Sequence, residues 1–248
     1  MKNTIIFVLG CISILVSCTE MTEPKLEPKQ QQKPYMTLQI GDIRQYYSTG
    51  NGMFMSVEIT DTIRRTDNQK MYVTKNNFYT LFGYYTVITY SFIRDGYFWE
   101  SQLDTLESLN AFTNNPYIEN KIMSIYPKDG ESFYLMEGAP DSINQYRKLK
   151  YIGSFITPLK VFEDVIECEI ITSDTSDQIH NYYSPEFGII GLVIKKQNAA
   201  TTIYPVYLKV GDREFGNYIY FPEKNLIKLP QNDVKKHSFI GLENFLFK

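Results

Sequence analysis

The chain has 248 residues, with 25 Lys and Arg against 28 Asp and Glu, a formal charge of −3. That near balance lacks the basic footprint a phosphate backbone demands, so nucleic acid is not an expected partner. Two histidines and three cysteines also leave little material for a metal centre or a disulfide framework.

In chain order, Lys2 precedes a nearly unbroken apolar run from Ile5 to Val16 that ends in Leu15-Val16-Ser17-Cys18. A short basic start and an apolar core of roughly 7–15 residues describe a secretory signal, whereas a bilayer span needs about 20. The Leu-Val-Ser-Cys ending resembles a bacterial lipobox. That resemblance implies removal of residues 1–17 and lipidation of Cys18, and with it a lipid-anchored protein of the cell envelope. An outer-membrane location is expected, with the periplasmic or surface face left open. The mature 231 residues carry 24 Lys and Arg against 28 Asp and Glu, because Lys2 is the one charge removed.

Residues 18–34 hold the anchor cysteine, three prolines, three consecutive glutamines and no aromatic residue. Such a stretch buries too little apolar surface to offset its ordering entropy and reads as a tether. As a flexible coil it spans roughly 20–25 Å. Residues 35–248 then read as one β-rich envelope domain.

Within that domain Val57, Ile59 and Ile63 alternate toward one face, and Thr86 to Ile93 alternates likewise. Asp95-Gly96 between β-prone runs predicts a hairpin. Tyr204 to Val210 is another β-run, with Pro205 expected at an edge or a strand start. Thr66-Asp67-Asn68 and Lys128-Asp129-Gly130 read as turns. Leu106 to Phe112 and Asp233 to Phe247 are candidates for one or two short helices. Alternation places Cys168 with Ile166 and Ile170, as a buried structural thiol. The expected fold is mainly β: a curved antiparallel sheet or half-barrel with one or two short helices.

No catalytic motif emerges. His180 and His237 lie outside any zinc spacing, and the G-x-S-x-G, S-x-x-K and phosphate-loop patterns are missing. His180 reads as a solvated loop residue. Ser173 to Asp177 lacks calcium-loop spacing, and Glu167 and Glu169 fall on the solvated face of their strand. Neither an enzyme, a metal nor a cofactor is expected.

The aromatic load is the feature with functional potential. Phe78 to Trp99 holds ten aromatic residues in twenty-two. They serve either cross-strand packing or the lining of a concave trough, with Tyr85, Tyr90, Phe92 and Trp99 as candidate ligand contacts. Val87 is expected on the face opposite Ile88, Tyr90 and Phe92.

Three segments together resemble an uncharacterised group of bacterial envelope domains. Gly41-Asp42-Ile43-Arg44-Gln45-Tyr46-Tyr47 is similar to a "G-D-x-W-x-Y" opening strand. Phe155 to Ile166 is similar to "V-P-A-G-T-F-x-N-V" and the strand after it. Tyr182-Tyr183-Ser184-Pro185-Glu186-Phe187-Gly188-Ile189-Ile190 is similar to "Y-Y-A-x-G-x-G-L-V". Leu159-Lys160 and Glu186-Phe187 depart from the glycine positions, and the opening Trp is replaced. The resemblance implies a curved sheet related to the lipoprotein-localisation (LolA/LolB-like) half-barrels and carries over no catalytic residue. The sequence thus points to a lipid-anchored, non-enzymatic envelope protein that binds an apolar ligand or a protein partner. The rival is a surface-exposed adhesion or glycan-binding lipoprotein.

Overall fold

A computed structural model describes residues 32–50, 52–81, 83–101, 119–136, 145–171, 178–196 and 199–221. Lipidation at Cys18, the Ser173 to Asp177 loop, His237 and both candidate helices lie outside them. The described residues contain strands and turns and no helix.

Thirteen strands follow in order: β1 Ile43–Ser48, β2 Phe54–Arg64, β3 Lys70–Thr80, β4 Gly83–Arg94, β5 Tyr97–Ser101, β6 Glu119–Ser124, β7 Ser132–Tyr134, β8 Tyr146–Ile156, β9 Val161–Ile171, β10 Gln178–Ser184, β11 Gly188–Lys196, β12 Ala199–Val210 and β13 Arg213–Gly216. All pair antiparallel in one sheet of spatial order β6-β5-β4-β3-β2-β1-β12-β11-β10-β9-β8-β7, with β13 beside β12. The two ends of this sheet meet. Lys121 N donates to Leu135 O at 2.7 Å, and Tyr97 Oη donates to Glu131 Oε1 at 2.8 Å. The sheet is therefore a nearly closed barrel, further closed than the half-barrel the sequence suggested. Closure removes exposed edges, which would otherwise template aggregation.

Local chemistry accounts for the turns. Asp95 and Gly96 have φ of 51° and 77°, the paired positive values of the tight hairpin turn that matches strand twist. Val57 and Ile59 face the interior as expected, but Ile63 does not. A β-bulge between Ile59 and Asp61 inserts one residue and sends Ile63 to the outer face, where it packs against the cluster of Met71, Tyr90, Phe92 and Trp99. Pro205 sits inside β12 rather than at an edge or start. The reason is a change of partner: β11 pairs with β12 up to Ile203 and β13 from Tyr207, so the missing N–H falls in the gap.

The main core lies inside the barrel, with Met55, Phe78, Tyr85, Leu149, Ile166, Cys168 and Ile170 among its buried members. Cys168 is a free, fully buried thiol among the neighbours expected for it. A second cluster, including Phe162, Val165, Phe187 and Ile190, lies on the opposite face of β9–β11. Phe215 of β13 covers it edge-on to Phe187 at 5.4 Å.

The chain enters the domain beside the β10–β11 turn. Lys33 Nζ donates to Glu186 Oε2 at 2.8 Å and Glu186 N donates to Pro34 O at 2.7 Å. Tyr35 Oη donates to Asp164 O, and Tyr35 and Met36 are buried in the main core. Glu186, standing where the related segment has glycine, adopts φ of 68°. Its carboxylate bonds Arg213 twice and Lys33, and these contacts hold it down to about 2.

Candidate functional site

The β3–β5 wall decides what the barrel encloses. Strand pleating sends alternate residues to opposite faces, so Thr74 and Asn76 of β3, Thr89 and Ser91 of β4, and Glu100 of β5 point inward together. Val57 and Ile59 of β2, Ile122 of β6, Ile189 of β11 and the entering Met36 and Leu38 supply apolar surface. Thr37, Arg44, Tyr46, Phe98, Asn181 and Tyr183 complete the lining of a cavity of about 70 Å³. That is room for roughly five water molecules. It is an amphipathic chamber: hydroxyls, amides and a carboxyl on one wall, aliphatic groups on another.

Its charges are internally compensated. Arg44 Nε donates to Phe187 O at 3.0 Å, and its Nη2 lies 3.7 Å from Asp42 Oδ2. Asp42 Oδ1 accepts from Gly211 N at 2.9 Å, which ties the Gly41-Asp42 turn to the Gly211-Asp212 turn. Glu100 is 5% exposed. Burial raises its carboxyl to about 7, while the Thr89 hydroxyl and the positive charge of Arg147 act in the opposite sense. Asn76 Nδ2 in turn donates to Thr89 Oγ1 at 3.1 Å, so the carboxyl is held from behind by a chain running across three strands. Tyr46, near the aromatic position of the opening-strand pattern, donates to Ile189 O at 2.9 Å and ties β1 to β11 across the chamber.

The four aromatic candidates do not converge. Tyr85 is inside, stacked on Phe78 with centroids 4.7 Å apart, and shares its face with Val87. Tyr90, Phe92 and Trp99 come together on the outer face, with Met71. There Phe92 and Trp99 stack at 6.2 Å beneath Arg94, whose guanidinium lies 5.3 Å and 4.3 Å from the two rings. Glu119 accepts from Arg65 at 2.6 Å and from Arg94 at 2.7 Å, and Asp67 grips Arg65 at 2.9 Å and 2.6 Å. This outer platform is an ion network on an aromatic floor, with Arg65 and Glu119 buried and Arg94 and Asp67 reaching toward solvent.

Sequence reasoning passed over Asn76, Thr89, Ser91, Glu100 and Asn181. A usable signal existed: Thr89 and Ser91 alternate with Tyr90 and Phe92, so one face of an aromatic strand is small and polar. His180 also differs from expectation. It lies on β10, largely buried, with Nδ1 3.1 Å from Glu167 Oε1, because β10 extends back to Gln178. Glu167 likewise is not simply solvated, since Tyr182 Oη donates to it at 3.1 Å. Among the described residues no three His, Cys, Asp or Glu side chains gather as a metal site requires.

A second aromatic feature escaped notice because its members are distant in sequence. Register aligns Tyr204, Tyr47, Phe54, Tyr79 and Tyr84 in one outer row across β12, β1, β2, β3 and β4. The segment after β13 lies over it. Gln45 both donates to Ile219 O and accepts from Ile219 N at 2.9 Å, and Phe221 packs 4.3 Å from Phe54 and 4.2 Å from Tyr79. Tyr47, Tyr218 and Tyr220 remain exposed there.

The class these observations define is an antiparallel β-barrel enclosing an amphipathic chamber. No protein-family model matches the chain, and no curated protein matches it. Among solved structures it is similar to a candidate lipoprotein from Parabacteroides distasonis, at 12% identity and a TM-score of 0.42, covering 73% of this chain and 100% of that one. It is also similar to a candidate exported protein with a YmcC-like fold from Bacteroides fragilis, at 13% identity and a TM-score of 0.42, covering 71% and 99%. Similarity at this level assigns no function.

Proposed function

We propose that this is a non-enzymatic, lipid-anchored protein of the bacterial cell envelope, held at the outer membrane through Cys18, whose barrel interior binds a small ligand with an apolar body. The anchoring rests on the lipobox-like segment. The binding rests on one observation, the two-faced chamber of about 70 Å³. Interiors pack densely, with few voids larger than a water molecule, so a chamber flanked by aliphatic groups and convergent polar groups has the character of a ligand site. A chamber of this size seats the end of a short chain and excludes a long acyl chain.

The test uses the mature chain without its acyl group, residues 18–248 carrying Cys18→Ser. 1-Hexanol should raise the thermal midpoint by several degrees near saturation, since a ligand of the folded state stabilises by mass action. Ile122→Trp, which fills the chamber, should abolish the rise, and Tyr90→Ala on the outer face should keep it. No rise, or a rise that survives Ile122→Trp, contradicts interior binding.

The exposed tyrosines around Tyr47 and Tyr220 support a second reading, a glycan-binding outer face on which rings stack against sugars and hydroxyls bond them. Loss of cell-surface polysaccharide binding on Tyr47→Ala, with the hexanol response unchanged, would favour it.

A further inference from the structure

The chamber's charges restrict the guest further, and this step rests on the interior-binding reading. Arg44 Nε donates to Phe187 O, and its charge is paired with Asp42 at 3.7 Å, although Nη2 makes no hydrogen bond there. Arg147, fully buried on β8, acts on Glu100. An anionic guest therefore meets two cations whose charges are already paired, Arg44 with Asp42 and Arg147 with Glu100, and a cationic guest must share Glu100 with Arg147. Burying an unpaired charge is costly in either case. Glu100 itself has acceptor capacity beyond the one hydrogen bond from Thr89, because an ionised carboxylate offers about four lone-pair sites. Ser91 is its direct cross-strand neighbour, and both line the chamber.

We infer that Glu100 selects the ligand's head group, and that the chamber takes a short-chain, uncharged amphiphile whose polar end donates a hydrogen bond, a hydroxyl or an amide. The donor points at the Glu100 carboxyl, and the hydrocarbon lies along Val57, Ile59, Ile122 and Ile189.

Three probes of matched size separate the alternatives: 1-hexanol, pentyl methyl ether with the same atoms and no donor, and hexanoate. Titration calorimetry on the acyl-free mature chain at a pH of about 8.5 should show hexanol binding roughly tenfold more tightly than either competitor, as a charge-assisted hydrogen bond predicts. The hexanol-to-ether ratio should shrink to about twofold near pH 5.5, where Glu100 is protonated. Arg147 from β8, Arg44 from β1 and Asp42 from the turn before β1 are the other charged groups beside this space; His180 is on the opposite face of β10 from Asn181. Glu100→Gln keeps an acceptor and the shape of the side chain but should make the ratio independent of pH. Equal binding of hexanol and ether at both pH values in the unmodified protein overturns the assignment, with no variant required. So does a pH-dependent ratio that persists in Glu100→Gln. If none of the three probes binds, interior binding itself falls and the assignment falls with it.

Discussion

The two faces of the β3–β5 wall are built from the same stretch of chain and solve opposite problems. Outside, Tyr90, Phe92 and Trp99 form a floor on which Arg65 and Arg94 lie, and Glu119 and Asp67 pair with those cations. That arrangement leaves each buried charge a partner and adds cation–π contact. Inside, Thr74, Asn76, Thr89, Ser91 and Glu100 face a chamber that their own hydrogen bonds do not fill. The aromatic face is finished and the polar face has room for a guest. Density of aromatic residues along a sequence therefore does not mark the incompletely packed face in this fold; that face is the polar one.

The largest expected effects belong to the outer face. Phe92→Ala should destabilise by about 4 kcal/mol, from lost burial and the cavity left, and Glu119→Ala by a similar amount because Arg94 loses its buried acceptor and Arg65 one of two. Both are read from urea unfolding, and neither should change hexanol affinity per folded molecule. A change in affinity would show that the faces are coupled. The inner face should announce itself through pH. Burial raises Glu100 from 4.5 to about 7, so the folded state holds its proton more tightly than the unfolded chain. Its contribution is full below pH 4.5 and is lost as pH rises through 7, by about 3 kcal/mol. Glu100→Gln should flatten that limb of the stability curve; an unchanged slope would mean the carboxyl is not buried as described. Glu186 has the opposite sign, since Arg213 and Lys33 lower it to about 2. Its contribution is lost as pH falls below 4.5, and its partly exposed setting keeps the effect of Glu186→Gln small. The smallest change is expected for Tyr220→Ala, within about 0.5 kcal/mol at an exposed position.

Alternation made much of this wall legible in advance. It placed Val87 opposite Ile88, Tyr90 and Phe92, buried Cys168 with Ile166 and Ile170, and marked the Asp95-Gly96 hairpin. What it could not supply was register. The β2 bulge that turns Ile63 outward depends on which residues of β3 oppose it, and Pro205 is tolerated because β12 changes partner at that point. Grouping Tyr85 with Tyr90 crossed the pleat, since an odd separation of five residues puts them on opposite faces. The chamber was hidden for a further reason. Its lining comes from β1 to β6 and from β10 and β11, and no short window of sequence brings Glu100 together with Asn76 and Asn181.

Central to the account is that ligand binds inside the barrel and not on its aromatic outer floor. Methyl-resolved NMR of the acyl-free mature chain titrated with 1-hexanol tests this directly. Saturable shifts should appear at the methyls of Val57, Ile59, Ile122 and Ile189, while Ile63, Val73 and Ile88 on the outer face stay in place. Shifts confined to the outer set, or no saturable shift in the inner one, would contradict it.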